Sequence, residues 1–262
     1  MDRRAVIGGA LALIGAASCR TKPNGAGDPL FVLKGQNPWR TVLGSESPTF
    51  ALYDDGSVIY QRESGFKSVQ LGSEELRRLV TALGLAELPK FAKHYEVAPY
   101  TDANTHIFYV FNGAKISVIS VYGELRVRAV EMDGKPVDKL VTMVPEPLAA
   151  AYEKANAFDH PKARGWLPDK IEVFVWPYEY APEPSIHWPK SWPGLNDPTT
   201  SRSGENYRLY VPAADLPALE RFLATQREKG AVEIDGKKWA ASLRYPFPKE
   251  QLWESQAPSA RT

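Results

Sequence analysis

Few residues in this sequence have types and spacings suited to catalysis. Asp102 and His106 could form an acid–base pair beside Thr101 and Thr105, because such catalysis needs groups that converge on one substrate atom. However, Asp102 stands at the beginning of a predicted strand, where Asp and Thr side chains commonly bind backbone amides. We therefore interpret Asp102 and His106 as structural, and the sequence predicts no catalytic residue.

The other patterns associated with catalysis or metal binding are incomplete. Ser64–Lys67 has the Ser-x-x-Lys spacing of penicillin-recognising enzymes, but their Ser-Asp-Asn and Lys-Thr-Gly elements do not occur. Cys19 is the only cysteine, which excludes a disulfide within the chain and a zinc site built from several thiolates. The histidines are scattered and form no His-Glu-x-x-His motif. The sequence therefore predicts no metal site and no cofactor.

The most unusual segment is Trp176–Pro193, which contains three Trp-Pro pairs. Proline fixes the backbone, so the rings would be presented at low entropic cost. Rigid exposed aromatic rings suit sugar faces, peptides or partner proteins. The alternative is that the rings close over the core as a lid. We predict a binding surface that consists of Trp176, His187, Trp188 and Trp192.

The first nineteen residues have the order of an export signal. Two arginines precede the apolar run Ala5–Ala17, and small residues precede Cys19. Ala16–Cys19 resembles the lipobox of bacterial lipoproteins, although Ala16 stands where that family usually has leucine. The resemblance implies that Cys19 is diacylated on sulfur and becomes the new N-terminus. Cleavage by an ordinary signal peptidase, which would leave Cys19 as a free thiol, is the alternative.

The expected location follows from this signal. Residues 1–18 are predicted to be a signal peptide and residues 19–29, which contain Pro, Gly and Asn, a flexible tether. Arg3-Arg4 resembles a twin-arginine signal and equally suits an ordinary cationic start, so the export route stays open. We expect a lipid anchor in a bacterial membrane, with the protein facing the periplasm or the cell exterior.

The charge composition argues against nucleic-acid binding. The chain has 32 Lys and Arg against 31 Asp and Glu. Removal of Asp2, Arg3 and Arg4 with the signal leaves 30 of each sign, so the mature chain is formally neutral. Nucleic-acid binding depends on an excess of Lys and Arg that neutralises phosphates. The partners that remain are a membrane, a protein or a glycan.

Helix and turn patterns predict an α+β fold. A helix is expected over Glu74–Leu83, capped by Ser73, a second from Pro145 to about Phe158, and a third after Asp215. Asp-Gly and Asn-Gly pairs separate β-prone runs, as in two-residue hairpins. We predict antiparallel sheets built from hairpins, with about three packed helices. The pairs are Asp55-Gly56, Asn112-Gly113, Asp133-Gly134 and Asp235-Gly236.

Four features follow one another in the first half of the chain: Pro48–Tyr60, an amphipathic helix, Thr101–Thr105, and a hairpin that ends at Ser120–Gly123. This order resembles a domain of unknown function that recurs in bacterial lipoproteins and other exported proteins. The resemblance covers about residues 48–158 and implies an α+β domain in an exported protein, with no activity attached.

Proline and glycine interrupt the pattern between His160 and Leu167, which predicts a boundary between two units. We expect an α+β domain over residues 30–160, a second α+β subdomain over residues 166–253, and a disordered tail over residues 254–262.

The sequence thus predicts a lipid-anchored envelope protein of unknown biochemical activity. The leading hypothesis is a non-enzymatic module that binds a protein or glycan partner through the Trp-Pro segment. The alternatives are an envelope hydrolase that acts on cell-wall material through Asp102 and His106, and a purely structural lipoprotein.

Overall fold

The structure of the protein is a computed structural model that describes residues 26–256, except residues 41, 43, 133 and 134. Cys19, the predicted signal peptide and residues 257–262 of the predicted tail lie outside the described residues. The helices are α1 (Ser73–Ala82), α2 (Glu146–Ala157), α3 (Leu216–Leu223) and α4 (Gln251–Glu254). The strands are β1 (Pro29–Gln36), β2 (Phe50–Tyr53), β3 (Ser57–Arg62), β4 (Gly65–Gln70), β5 (His94–Glu96), β6 (Thr105–Asn112), β7 (Lys115–Tyr122), β8 (Arg126–Met132), β9 (Lys135–Thr142), β10 (Arg164–Gly165), β11 (Lys170–Pro177), β12 (Ile186–His187), β13 (Ser201–Ser203), β14 (Asn206–Pro212), β15 (Val232–Ile234) and β16 (Lys237–Arg244).

The strands form two large sheets and a separate hairpin. The first sheet has the order β10-β4-β3-β2-β1-β6-β7-β5, the second has the order β12-β15-β16-β11-β14-β13, and β8 pairs with β9 alone. Antiparallel pairs dominate, and the predicted class of mixed α and β structure with antiparallel sheets is confirmed. Strands outweigh helices in the described residues, so the protein is predominantly β.

The hairpin β6–β7 lies inside the first sheet, between β1 and β5. Its alternating side chains divide between the two faces, because successive residues of a strand point to opposite sides. Phe108 and Val110 join the core under α1 and α2, whereas Ile107 and Tyr109 join a core on the opposite face. Both faces of this sheet are therefore covered, which explains why these strands carry apolar residues on both faces.

Helix termini differ in detail from the sequence prediction. Gly72, not Ser73, is the N-cap of α1, and its N–H donates to Glu75 Oε2 at 3.0 Å. Glu75 thus makes the bond of a capping box that runs to the N-cap N–H, whereas the cap expected from the Ser73 hydroxyl to a backbone N–H of the first turn is not made. Helix α3 does follow Asp215, with Pro217 in its first turn.

A C-terminal strap connects the two sheets. We use this name for residues 245–256, which follow β16 and include α4. Its apolar side chains, Phe247 and Trp253, pack on Val32, Tyr53 and Ile107 of the first sheet. The second half of the chain therefore completes a core of the first half. The predicted division into residues 30–160 and 166–253 stays a prediction, and the strap makes the two parts contact each other.

Candidate functional site

The Trp-Pro segment places two of its predicted binding residues in the second core. The Trp188 side chain is only 8% exposed, and its Nε1–H donates to the Pro193 carbonyl at 3.0 Å. Its ring centroid lies 5.1 Å from that of Trp192 and 5.7 Å from that of Phe222 on α3. These rings form an aromatic cluster over the helix. Trp188 and Trp192 therefore lie as the alternative interpretation of the Trp-Pro segment expects, with their rings closed over the core as a lid.

The other two predicted residues, Trp176 and His187, share the opposite face of the second sheet. Trp176 is half-buried against Val42, away from the core that holds Trp188. His187 is exposed and its Nδ1 lies 3.6 Å from Glu233 Oε2. Strand alternation puts both side chains on one surface, because their neighbours in sequence face the core. The four predicted residues therefore do not converge on one site.

The strap covers the other end of this face, at Glu172 and Arg244. We call the end away from the strap the outer face of the second sheet and define it by Trp176, Tyr178, His187, Glu233 and Lys238. The Tyr178 N–H donates to the Lys238 carbonyl at 2.9 Å, and Lys238 pairs with Glu233 across the hairpin β15–β16. His187 pairs in turn with Glu233. A row of four residues therefore crosses one end of the sheet, in the order Tyr178, Lys238, Glu233 and His187.

Asp102 and His106 do not form an acid–base pair. Asp102 is exposed at a positive φ of 63°, whereas His106 is buried with its ring centroid 4.7 Å from that of Tyr152. No hydrogen bond or ion pair joins the two side chains in the part of the chain that the structure describes. Burial lowers the pKa of His106, because the charged imidazolium would lose its hydration.

His106 predicts a pH dependence of stability. Its folded pKa lies below that of the unfolded chain, so the stability that comes from the neutral ring is present above about pH 6.5 and is lost as the pH falls toward the lowered pKa. The slope from this one group is at most about 1.4 kcal/mol per pH unit. We expect His106→Phe to flatten the stability profile below that pH, as measured by urea unfolding at several pH values. A slope below that pH that is the same in His106→Phe as in the wild type would contradict the assignment.

One group of side chains has the connectivity of a hydrolase triad, but its serine is not accessible to a substrate. The group consists of Ser120, His94 and Glu96. Ser120 Oγ lies 2.8 Å from His94 Nδ1, and Glu96 Oε2 lies 3.8 Å from His94 Nε2. Ser120 is buried, and its Oγ also lies within 3.4 Å of the Lys93 carbonyl. A nucleophile must reach the substrate carbon, so the arrangement is better explained as a contact that holds the edge strand β5.

The structure also reveals a buried ionic cluster that sequence reasoning missed. Arg244 is 1% exposed, and its Nη1 lies 2.8 Å from Glu172 Oε2. Its Nη2 contacts Glu250 of the strap and lies 3.4 Å from Glu254 Oε1. Arg208 Nη1 donates to both carboxylate oxygens of Glu254 at 2.9 Å. The cluster thus joins the second sheet to the strap through paired charges, which a buried charge requires.

Burial changes the pKa values of several members of the cluster. It raises the pKa of Glu250, against the opposing attraction of Arg244. Burial would also raise the pKa of Glu254, but the charges of Arg244 and Arg208 and the hydrogen bond from Arg208 outweigh it and lower that pKa. Lys34 of β1 is buried nearby, and burial followed by the charge of Arg244 lowers its pKa. Perturbed values of this kind occur at functional sites and in structural ion networks alike.

A shallow cleft of about 340 Å³ lies next to the strap. It is lined by aromatic and proline side chains, by Asp169 and by two lysines. No group of three or more His, Cys, Asp or Glu side chains in the described residues is placed to hold a metal ion. Within the same residues, no helix has the length and apolarity to cross a membrane. The lining includes Trp166, Lys170, Tyr210, Phe247, Pro248 and Lys249.

Comparisons with family models, with curated proteins and with solved structures find no match to this chain.

Proposed function

We propose that this chain is a lipid-anchored protein of the bacterial cell envelope, exported by the signal in residues 1–18 and held to a membrane through Cys19. The observation that supports the proposal is Cys19 itself, the only cysteine, directly after an apolar run and three small residues. A single cysteine in an oxidising compartment has no disulfide partner within the chain. Acylation gives this residue a role that is compatible with that compartment.

We further propose that the anchored body is a non-enzymatic module that binds a protein or glycan partner. The outer face of the second sheet is the surface that we assign to this contact. Trp176 and Tyr178 are half-buried there, and Tyr180, just beyond β11, is 95% exposed. Aromatic side chains on a strand contribute large contact areas at low entropic cost, and such residues dominate binding energies. Trp188 and Trp192 support this surface from the core side of the same sheet.

The lipid anchor predicts a clear effect of Cys19→Ser. Without the thiol there is nothing to acylate, so we expect the protein to move from the membrane fraction to the soluble fraction. The measurement combines cell fractionation with the mass of the N-terminal peptide of the wild-type protein, which should begin at Cys19 and carry acyl chains. Ser18→Ala keeps a small residue beside the cysteine and serves as the control. A wild-type protein with a free Cys19 thiol would disprove the anchor.

The binding surface predicts that Trp176→Ala reduces partner capture by about fivefold or more, because truncation of a central aromatic residue commonly costs over 1 kcal/mol. Capture is measured by in-cell photo-crosslinking from position 178, followed by mass spectrometry of the products. Tyr100→Ala removes an exposed aromatic residue outside this face and is the matched control. Crosslinks that persist in Trp176→Ala, or that Tyr100→Ala reduces equally, would contradict this assignment.

A further inference from the structure

The described chain begins beside the C-terminal strap. Ala26 packs on the core that contains Trp253 and Phe247. Two residues later, the Asp28 carboxylate forms an ion pair with Lys249 of the strap, and the Asp28 N–H donates to Asp54 at 2.7 Å. The point at which the predicted tether joins the fold is therefore held against the strap by apolar packing and by an ion pair.

The length of the tether restricts how far this point can lie from a lipid on Cys19. Ala26 comes seven residues after Cys19. A fully extended chain spans at most about 3.6 Å per residue, so seven residues reach about 25 Å. With the acyl chains in a bilayer, Ala26 must therefore remain within about 25 Å of the membrane surface, and the strap lies beside Ala26.

The surface around the strap has the chemistry of a membrane contact. Leu252, in α4, is 40% exposed, and Leu167, between two residues that line the cleft, is 43% exposed. Lys170 and Lys249 line the same cleft together with Asp169, and the Lys249 ammonium is held by Asp28. Exposed apolar side chains beside lysine stems are typical of surfaces that rest in the headgroup region, and Lys170 is the residue here whose ammonium would reach phosphate.

We propose that this surface, the strap face, lies against the phospholipid bilayer when Cys19 is acylated. We define the strap face by Leu167, Lys170, Lys249 and Leu252. The inference rests on the proposed lipid anchor and adds the orientation of the protein. Strand β11 runs from Lys170 at the strap face toward the outer face of the second sheet at Trp176. At about 3.4 Å per residue the strand separates the two surfaces by about 20 Å, so the partner-binding surface faces away from the membrane.

The test uses the full-length acylated protein in phospholipid vesicles that contain spin-labelled lipid. Acylation consumes the only native thiol, so a cysteine introduced elsewhere is a unique site for an environment-sensitive fluorophore. Leu252→Cys places the fluorophore on the strap face, and Tyr180→Cys places it beyond the far end of β11. Both positions are exposed in the fold, and circular dichroism of each labelled protein verifies that the fold is intact.

We expect a blue shift and about twofold quenching by the spin-labelled lipid at position 252, as for a side chain at the headgroup boundary, and little change at position 180. Equal quenching at both positions, or none at position 252 in protein whose N-terminal peptide carries the acyl mass, overturns the orientation and leaves the anchor intact. Absence of the acyl mass overturns the proposed anchor, and the orientation with it.

Discussion

Trp253→Ala should lower the free energy of unfolding by about 3–5 kcal/mol, the usual cost of removing a large aromatic side chain from a packed core. Trp253 is 1% exposed and belongs to the core that includes Val32, Trp166 and Phe247. Its ring centroid lies 6.1 Å from that of Phe111 on β6. The cavity would open between the strap and the first sheet, so the contact between the two parts of the chain would be weakened. Urea unfolding followed by far-UV circular dichroism measures the loss.

The matched control for this prediction is the preceding residue. Leu252 belongs to the same short helix but is 40% exposed. Leu252→Ala should change the free energy of unfolding by less than about 0.5 kcal/mol, as is usual for surface substitutions. Equal, small effects of the two substitutions would show that the strap is not packed as described.

Arg244→Met should lower the free energy of unfolding by about 3–5 kcal/mol, because removal of one partner leaves buried charges without compensation. Glu172 would lose its contact at 2.8 Å, and Glu250 would lose the cation that opposes the effect of its burial. Methionine keeps much of the side-chain volume, so the loss reports mainly on charge. Chemical denaturation at neutral pH measures it.

The pH dependence separates a charge effect from a packing effect in this variant. Burial raises the pKa of Glu250, and without Arg244 that pKa would rise further. Protonation of Glu250 would then stabilise the folded state, so the deficit relative to wild type should shrink as the pH falls. Glu254 gives the wild type the reverse pH dependence. Its pKa is lowered in the folded protein, so the stability that it contributes is lost as the pH falls through that pKa. Lys237→Met, at an exposed position of the same strand, should leave stability nearly unchanged at every pH. A deficit that is constant with pH would contradict the charge explanation.

The secondary structure could be predicted where the chain carries strong local patterns. The hairpin predicted at Asn112-Gly113 corresponds to β6 and β7. At Asp235-Gly236 both residues have positive φ, as a two-residue turn between paired strands requires. The hydrophobic stripe of α1 and the prolines at the start of α2 and α3 also locate these helices. In each case the information lies within a few residues of the element that it determines.

The arrangement of the candidate site could not be predicted in the same way. The ionic cluster brings together residues that are far apart in sequence, such as Lys34, Glu172 and Arg244. The one local signal was Glu172, a charged residue within the otherwise apolar run Ile171–Trp176. The Trp-Pro segment is the opposite case, because its composition permits either an exposed surface or a lid. Strand alternation and contact with α3 decide between these alternatives, and neither is visible without tertiary structure.

The strap also affects the order in which this protein folds. Val32 packs in the same core as Trp253, which lies 221 positions later in the chain. Contacts between such distant residues form slowly, since the intervening chain must first be brought together at an entropic cost. Until the strap docks, an apolar face of the first sheet is open to water and to other unfinished chains. The strap is synthesised after the whole of the first sheet, and its docking is therefore the step that covers this apolar face.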